Sequence, residues 1–188
     1  MNTNKAYNLA VVVGRMQPYH LGHKYLIEKS LSLADNVLLF IGHSGWTDHR
    51  HFVDINTVKD LIQEDFKNID NLYIRNIFDK HSDSSWALDL ALQVDMATKC
   101  NKLDKENICF VGSKKDVNWY CNLLPSWDLI MLPQYKNINA TDIRKKYFCS
   151  NKPFADEIPE VTNKFLLDFA NTMEYTSIST QYKSYFGG

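Results

Sequence analysis

Five short apolar runs separated by segments of helical period predict an α/β chain: an open, Rossmann-like parallel sheet of order 3-2-1-4-5, with helices on both faces and a C-terminal helical tail. Three observations carry this reading. Strand-like runs occur at Leu9–Val13, Val37–Ile41, Leu72–Ile77, Ile108–Val111 and Leu129–Leu132. Helix-period segments fall between them, at Lys24–Leu33, Val58–Phe66, Trp86–Thr98 and Val117–Leu124. Most glycines and unusual polar residues follow the strands, and right-handed crossovers would bring those strand ends to one rim of the sheet. Residues 1–150 would form this domain, with residues 151–188 a helical segment packed on it.

The first strand, Leu9-Ala10-Val11-Val12-Val13, is apolar and rich in β-branched residues, as expected of a strand buried on both faces. It runs directly into Gly14-Arg15-Met16-Gln17-Pro18-Tyr19-His20-Leu21-Gly22-His23, and Tyr25, Leu26, Ile27, Ser30 and Leu33 then recur at helical spacing. A glycine turn between strand and helix in an open parallel sheet is a phosphate-binding position, because the free N–H groups of the helix start point outward there. His20 and His23 are three residues apart and share one helix face. A strand–turn–helix with merely capping or filling histidines is the plainer alternative. A metal site would need a third ligand, and no Asp or Glu lies in the motif; His-Glu-x-x-His and the Walker phosphate loop are both absent.

The remaining strands each end in a polar loop. Gly42-His43-Ser44-Gly45 follows the second, and Asp79 to Trp86 follows the third. Gly112-Ser113-Lys114-Lys115-Asp116 follows the fourth, so in the order 3-2-1-4-5 the Gly14 and Gly112 loops face each other across the crevice. After the fifth strand, Asn139-Ala140-Thr141-Asp142-Ile143-Arg144 opens a helix with Thr141 as its expected N-cap. Arg144, one turn in, could reach a phosphate bidentately or be an ordinary solvated arginine. In the tail, Pro159-Glu160 reads as a helix start, with Val161, Phe165, Leu166 and Phe169 on one apolar face. Residues 177–188 hold Tyr182, Tyr185 and Phe186 with no clear period, and docking on the body, contact with another subunit and disorder all stay open.

Composition narrows the partners. A chain of 188 residues suits one domain with a real core. A net charge of −1 without a basic block argues against DNA or RNA, whose binding rests largely on phosphate neutralisation. Cys100, Cys109, Cys121 and Cys149 show no C-x-x-C pairing and read as reduced thiols. The polar start Met1-Asn2-Thr3-Asn4-Lys5 leaves no room for a signal peptide, and no apolar run approaches spanning length, so a cytoplasmic protein without membrane contact is expected.

The stretch Gly14 to His23 resembles the His-x-Gly-His motif of the nucleotidyltransferase superfamily in its Gly-Arg-Phe-Gln-Pro-x-His variant, with Met16 in place of Phe. Thr141 and Arg144 resemble the superfamily's second motif, Ile-Ser-x-Thr-x-x-Arg, with Asn139 and Ala140 replacing the serines. That variant, the Asp79…Trp86 pattern and the Gly112 loop (Ser113 where a His is usual) are similar to the nicotinamide mononucleotide adenylyltransferase domain of bifunctional adenylyltransferase/Nudix proteins. The second-strand loop departs from that family, with Gly42-His43-Ser44-Gly45-Trp46 and Arg50-His51-Phe52 where Gly-Ser-Ala and Asn-Pro-Phe-Thr are usual. No Nudix box occurs, so no hydrolysis of ADP-ribose is expected.

The resemblance implies transfer of AMP from ATP to nicotinamide mononucleotide, giving NAD and pyrophosphate. It places His20, His23 and Arg144 at the reacting phosphates. Gly14, Arg15, Gln17, Gly22, Gly112, Lys114, Asp116, Asn139 and Thr141 are then assigned to ATP, and Arg50, Phe52, Asp79 and Trp86 to the acceptor. Magnesium would bridge phosphate oxygens, with no metal ligand from the protein. Trp86 has two readings, a ring stacked on the pyridine and a core tryptophan; Asp79 likewise could accept from the carboxamide or orient its loop. Other acceptors (nicotinate mononucleotide, phosphopantetheine), a non-catalytic nucleotide sensor and an interaction module built on the aromatic tail are the alternatives, and the tail leaves self-association open.

Overall fold

A computed structural model describes residues 5–113, 123, 127–150 and 154–186. The strands are β1 (Tyr7–Gly14), β2 (Ala34–His43), β3 (Leu72–Phe78), β4 (Ile108–Ser113) and β5 (Asp128–Leu132). The helices are α1 (Leu21–Leu33), α2 (Ile55–Asp65), α3 (Asp83–Asn101), α4 (Ala140–Cys149), α5 (Glu160–Phe169) and α6 (Met173–Phe186). All strand pairs are parallel and the order is β3-β2-β1-β4-β5, as the alternation of strand and helix predicts. β1 lies at the centre, paired on one side with β2 (Val12 opposite Leu39) and on the other with β4 (Val12 opposite Val111). The chain order reverses between β1 and β4, which opens a crevice at their C-terminal ends.

Side-chain alternation along β1 divides the core in two. Ala10 and Val12 join a cluster with Ile27, Ile62, Phe52, Ile143 and Phe148 on one face, to which Leu166, Phe169, Ile178 and Tyr182 of α5 and α6 also belong. Leu9 and Val11 face the other way, toward Phe110, Trp86, Leu90 and Val94. The stretch from residue 177, unassigned from sequence, is therefore the body of α6 and is docked: Ile178, Ser179 and Tyr182 are buried, and the Ser179 hydroxyl donates to the Phe148 carbonyl at 3.3 Å.

The elements begin earlier than apolar periodicity implies, because caps set their ends. Asp54 accepts from the N–H groups of Asn56 and Thr57 at 3.0 Å and starts α2 at Ile55 rather than Val58. Ser82 caps α3, which starts at Asp83 rather than Trp86. The N-cap of α4 is Asn139, whose side chain accepts from Asp142 N–H at 2.9 Å; Thr141, expected there, already lies inside the helix. The helix expected over Val117–Leu124 falls, apart from Leu123, outside the described residues, as do Lys114 and Asp116. Among the described residues no helix is long and apolar enough to cross a membrane.

Candidate active site

The crevice is built from the loops that follow β1, β2, β3 and β5, and at its floor His20 and His23 cap each other. His20 is the N-cap of α1 and His23 its third residue. The His23 backbone N–H donates to His20 Nδ1 at 3.3 Å, and the His20 backbone N–H donates to His23 Nδ1 at 3.4 Å. This is a capping box in which imidazoles replace the usual hydroxyl and carboxylate. Both Nδ1 atoms act as acceptors, so in the neutral rings both protons sit on Nε2. The rings stack with centroids 3.6 Å apart. Burial, reinforced by the Arg144 charge, pushes His20 down to about 4, and burial beside His20 holds His23 well below the usual imidazole range. The pair therefore presents two neutral N–H donors, and an arriving polyanion would favour their protonation.

Two cavities adjoin at His23 and Ala140. The larger, about 450 Å³, is lined by His20, Gly22, Tyr25, Leu26, Gln134, Tyr135, Ile138 and Asn139 among others. Tyr25 and Tyr135 stack there with centroids 5.0 Å apart. The smaller, about 230 Å³, is cationic, lined by Arg15, Met16, Gln17, Arg50, His51 and Arg144. Arg144 Nη1 donates to the Gln17 carbonyl at 2.6 Å and Nη2 to Thr141 Oγ1 at 3.2 Å, while its Nε is buried with no partner. The Tyr182 hydroxyl of α6 faces this guanidinium and interacts with it electrostatically.

The structure brings most of the expected residues together and redistributes several. Gln17 is spent on the scaffold: its amide donates to the Val53 carbonyl at 2.6 Å and accepts from Val53 N–H at 3.0 Å, tying the loop after β1 to the loop after β2. Arg15, read with the ATP residues, is drawn to Asp79, where its Nη2 donates to both carboxylate oxygens at 3.0 and 3.2 Å. Phe52 is corrected from a ligand contact to a core residue: it is 1% exposed and packs against Tyr147, Phe148 and Phe169, which leaves no ring face for a ligand. Trp86 is 7% exposed within the second core cluster and lines neither cavity. Gly14 and Gly112 are strand-end backbone positions, and no side chain there competes for the crevice.

Three contributors escape the sequence reading. His51 Nδ1 lies 3.0 Å from Asp48 Oδ1 beside the cationic cavity that His51 lines; the Asp-x-x-His spacing is their only signal. Tyr182 carries none, being far from Arg144 in sequence and in a helix without obvious amphipathy.

The chain has relatives among known proteins. Residues 9–81 match the family described as the citrate lyase ligase C-terminal domain. The chain is 24% identical over 185 residues to the nicotinamide/nicotinic acid mononucleotide adenylyltransferase of Acinetobacter baylyi, covering 95% of each protein. It is 26% identical over 163 residues to the nicotinamide-nucleotide adenylyltransferase of Sulfurisphaera tokodaii, covering 84% of this chain and 89% of that protein. Among solved structures, the bifunctional NMN adenylyltransferase/ADP ribose pyrophosphatase of Francisella tularensis, crystallised with AMP and an Mn ion, superposes with a TM-score of 0.83 at 25% identity. That match covers 95% of this chain and 53% of the other, so the chain spans about half of that protein. In sequence and in fold the chain is similar to nicotinamide mononucleotide adenylyltransferases.

Proposed function

We propose that the chain is a nicotinamide-nucleotide adenylyltransferase, joining AMP from ATP to nicotinamide mononucleotide. The observation that carries this reading is the mutually capped His20–His23 pair standing where a tyrosine-lined cavity meets a cationic one, with Arg144 beside it. The adenosine occupies the larger cavity, near Tyr25, Tyr135 and the Asn139 helix start. The triphosphate passes His23 toward Arg144 and Thr141, and the acceptor phosphate enters beside Arg15 and Arg50. Asp79, in the loop between β3 and α3, bounds the pyridine side, and Trp86 packs in the core of α3 behind it. Gly112, with Lys114 and Asp116 beyond it, belongs to the ATP side.

In the reaction an anionic phosphate oxygen of the acceptor forms a bond to the α-phosphorus of ATP, the bond from that phosphorus to the bridging oxygen breaks, and pyrophosphate leaves. The nucleophile is already charged, so no general base is needed, and catalysis is positioning plus charge stabilisation. A divalent ion such as magnesium would arrive on the ATP phosphates as part of the substrate.

The test is release of pyrophosphate and NAD from ATP and magnesium, with nicotinamide and nicotinate mononucleotides in parallel. His23→Ala should lower kcat on the order of 10²–10³, the scale of losing one preorganised donor. Binding of ATP without pyrophosphate release would favour a nucleotide sensor. Pyrophosphate release with other acceptors alone would keep the chemistry and discard the pyridine nucleotide.

A further inference from the structure

His51 at the cationic cavity, with Asp48 against it, is given no part by this reaction. Arg15 projects from the loop after β1 with 49% of its side chain exposed, and a long exposed arginine pays side-chain entropy when it settles on a phosphate. Yet both ends of its fork are held. Nη2 donates to both Asp79 oxygens, and Nη1 lies 2.7 Å from His51 Nε2. A guanidinium has no lone pair, so in that contact His51 Nε2 must accept. The His51 proton then sits on Nδ1, which lies 3.0 Å from Asp48 Oδ1 and 3.2 Å from the Ser44 hydroxyl. Asp48 Oδ1 is itself fixed by the backbone N–H groups of Arg50 and His51, each at 2.7 Å. The chain therefore runs from backbone amides through Asp48 and the buried, neutral His51 to Arg15 and Asp79. It links the loops after β1, β2 and β3.

We propose that His51 is a positioning residue whose Nε2 lone pair holds Arg15 at the cavity wall, ready for the phosphate of the acceptor nucleotide. The identity of that nucleotide rests on the function proposed above; the His51–Arg15 linkage does not. The groups that face His51 are Arg15 and Asp79 from the neighbouring loops and Asp48, Ser44 and Arg50 from its own, with His23 and Arg144 across the cavity. Protonation of Nε2 would set an N–H against the guanidinium and release Arg15. Burial and the Arg15 charge hold His51 below its ordinary range, so this release belongs to pH below that range.

The experiment pairs a tautomer measurement with two substitutions. Nitrogen-15 NMR of histidine-labelled protein, with His51 assigned by the signal lost in His51→Gln, should show the neutral Nδ1–H form at about pH 8. His51→Asn reaches only as far as Nδ1, keeping Asp48 but losing Arg15, and should raise KM for the acceptor about tenfold with kcat and KM for ATP changed less than about twofold. His51→Gln places an amide oxygen near the Nε2 position and should return KM to within about threefold of the wild type, while removing its rise at acid pH. An Nε2–H tautomer, or an unchanged acceptor KM in His51→Asn, overturns the proposal. If the wild type makes no dinucleotide at all, the functional reading fails and the tautomer alone decides the linkage.

Discussion

At Gly22 a single missing atom shapes the site. A Cβ built there would lie 2.9 Å from Cε1 and 3.0 Å from Nδ1 of His20, so the ring of His20 lies directly over the glycine. Gly22→Ala must push that ring and break the mutual cap. The expected outcome is a fall in kcat on the order of 10–10² with the circular dichroism unchanged; an unchanged kcat would show that the cap is not needed for turnover. The same burial makes the histidines acid-sensitive. His20, His23 and His51 all have folded pKa values below the unfolded value near 6.5. The unfolded chain therefore binds more protons just below that pH, and stability should be full above it and fall as pH drops toward the folded values. For His20, lowered to about 4, the loss by pH 4 is on the order of 3 kcal/mol. Thermal melts should show Tm falling steadily between about pH 7 and pH 5, less so in the presence of ATP, which would raise the histidine pKa values. A flat Tm across that window would contradict the neutral pair.

Among the elements, α6 is the one that joins fold to site. It packs on α4 through Tyr182 and Phe148, with ring centroids 5.1 Å apart, and the Tyr175 hydroxyl donates to the Tyr147 carbonyl at 3.1 Å. Its aromatic end also meets the loop after β2, where His49 lies between Tyr182, Tyr185 and Phe186 at 5.4–5.8 Å. The Tyr182 hydroxyl also faces the Arg144 guanidinium and interacts with it electrostatically. Tyr182→Phe keeps the packing and removes that hydroxyl. It should leave Tm nearly unchanged and lower kcat/KM about threefold, the scale of a screened polar interaction; equal kcat/KM would mean that Gln17 and Thr141 suffice to hold Arg144. This helix was not legible in the sequence because Ser179 and Tyr182 on its buried face blur the apolar period. The strands were legible because β1 and its neighbours are buried on both faces and read as continuous apolar runs. The helix starts were not, because an imidazole cap at His20 lies outside the usual capping residues, and at α4 the cap falls to Asn139 two residues before Thr141.

At the scale of the whole molecule, the site is an electrostatic exception. The chain carries a net charge of −1, yet the crevice gathers Arg15, Arg50 and Arg144 around two histidines, and the Gln17–Arg144 contact joins residues 127 apart in sequence. The strand order brings this about, because every loop at the C-terminal rim comes from a different part of the chain. The gathering of those loops was legible from the alternation of strands and helices. Which arginine would be paired was not, because Asp79 and His51 reach Arg15 only in three dimensions. Pairing decides what the cavity offers a ligand: Asp79 offsets much of the Arg15 charge, whereas Arg50 and Arg144 make no carboxylate ion pair among the described residues. A field that is local in this way is screened within about 8 Å at physiological salt. Raising ionic strength from about 0.05 to 0.5 M should therefore increase KM for both anionic substrates several-fold while kcat, set inside the closed contact with the phosphates, stays within about twofold. Asp79→Asn should act in opposition to salt, because it frees the Arg15 charge without adding bulk; acceptor KM should fall at low salt and become more salt-sensitive. A KM that ignores salt in both proteins would mean that these arginines shape the cavity without contributing charge to binding.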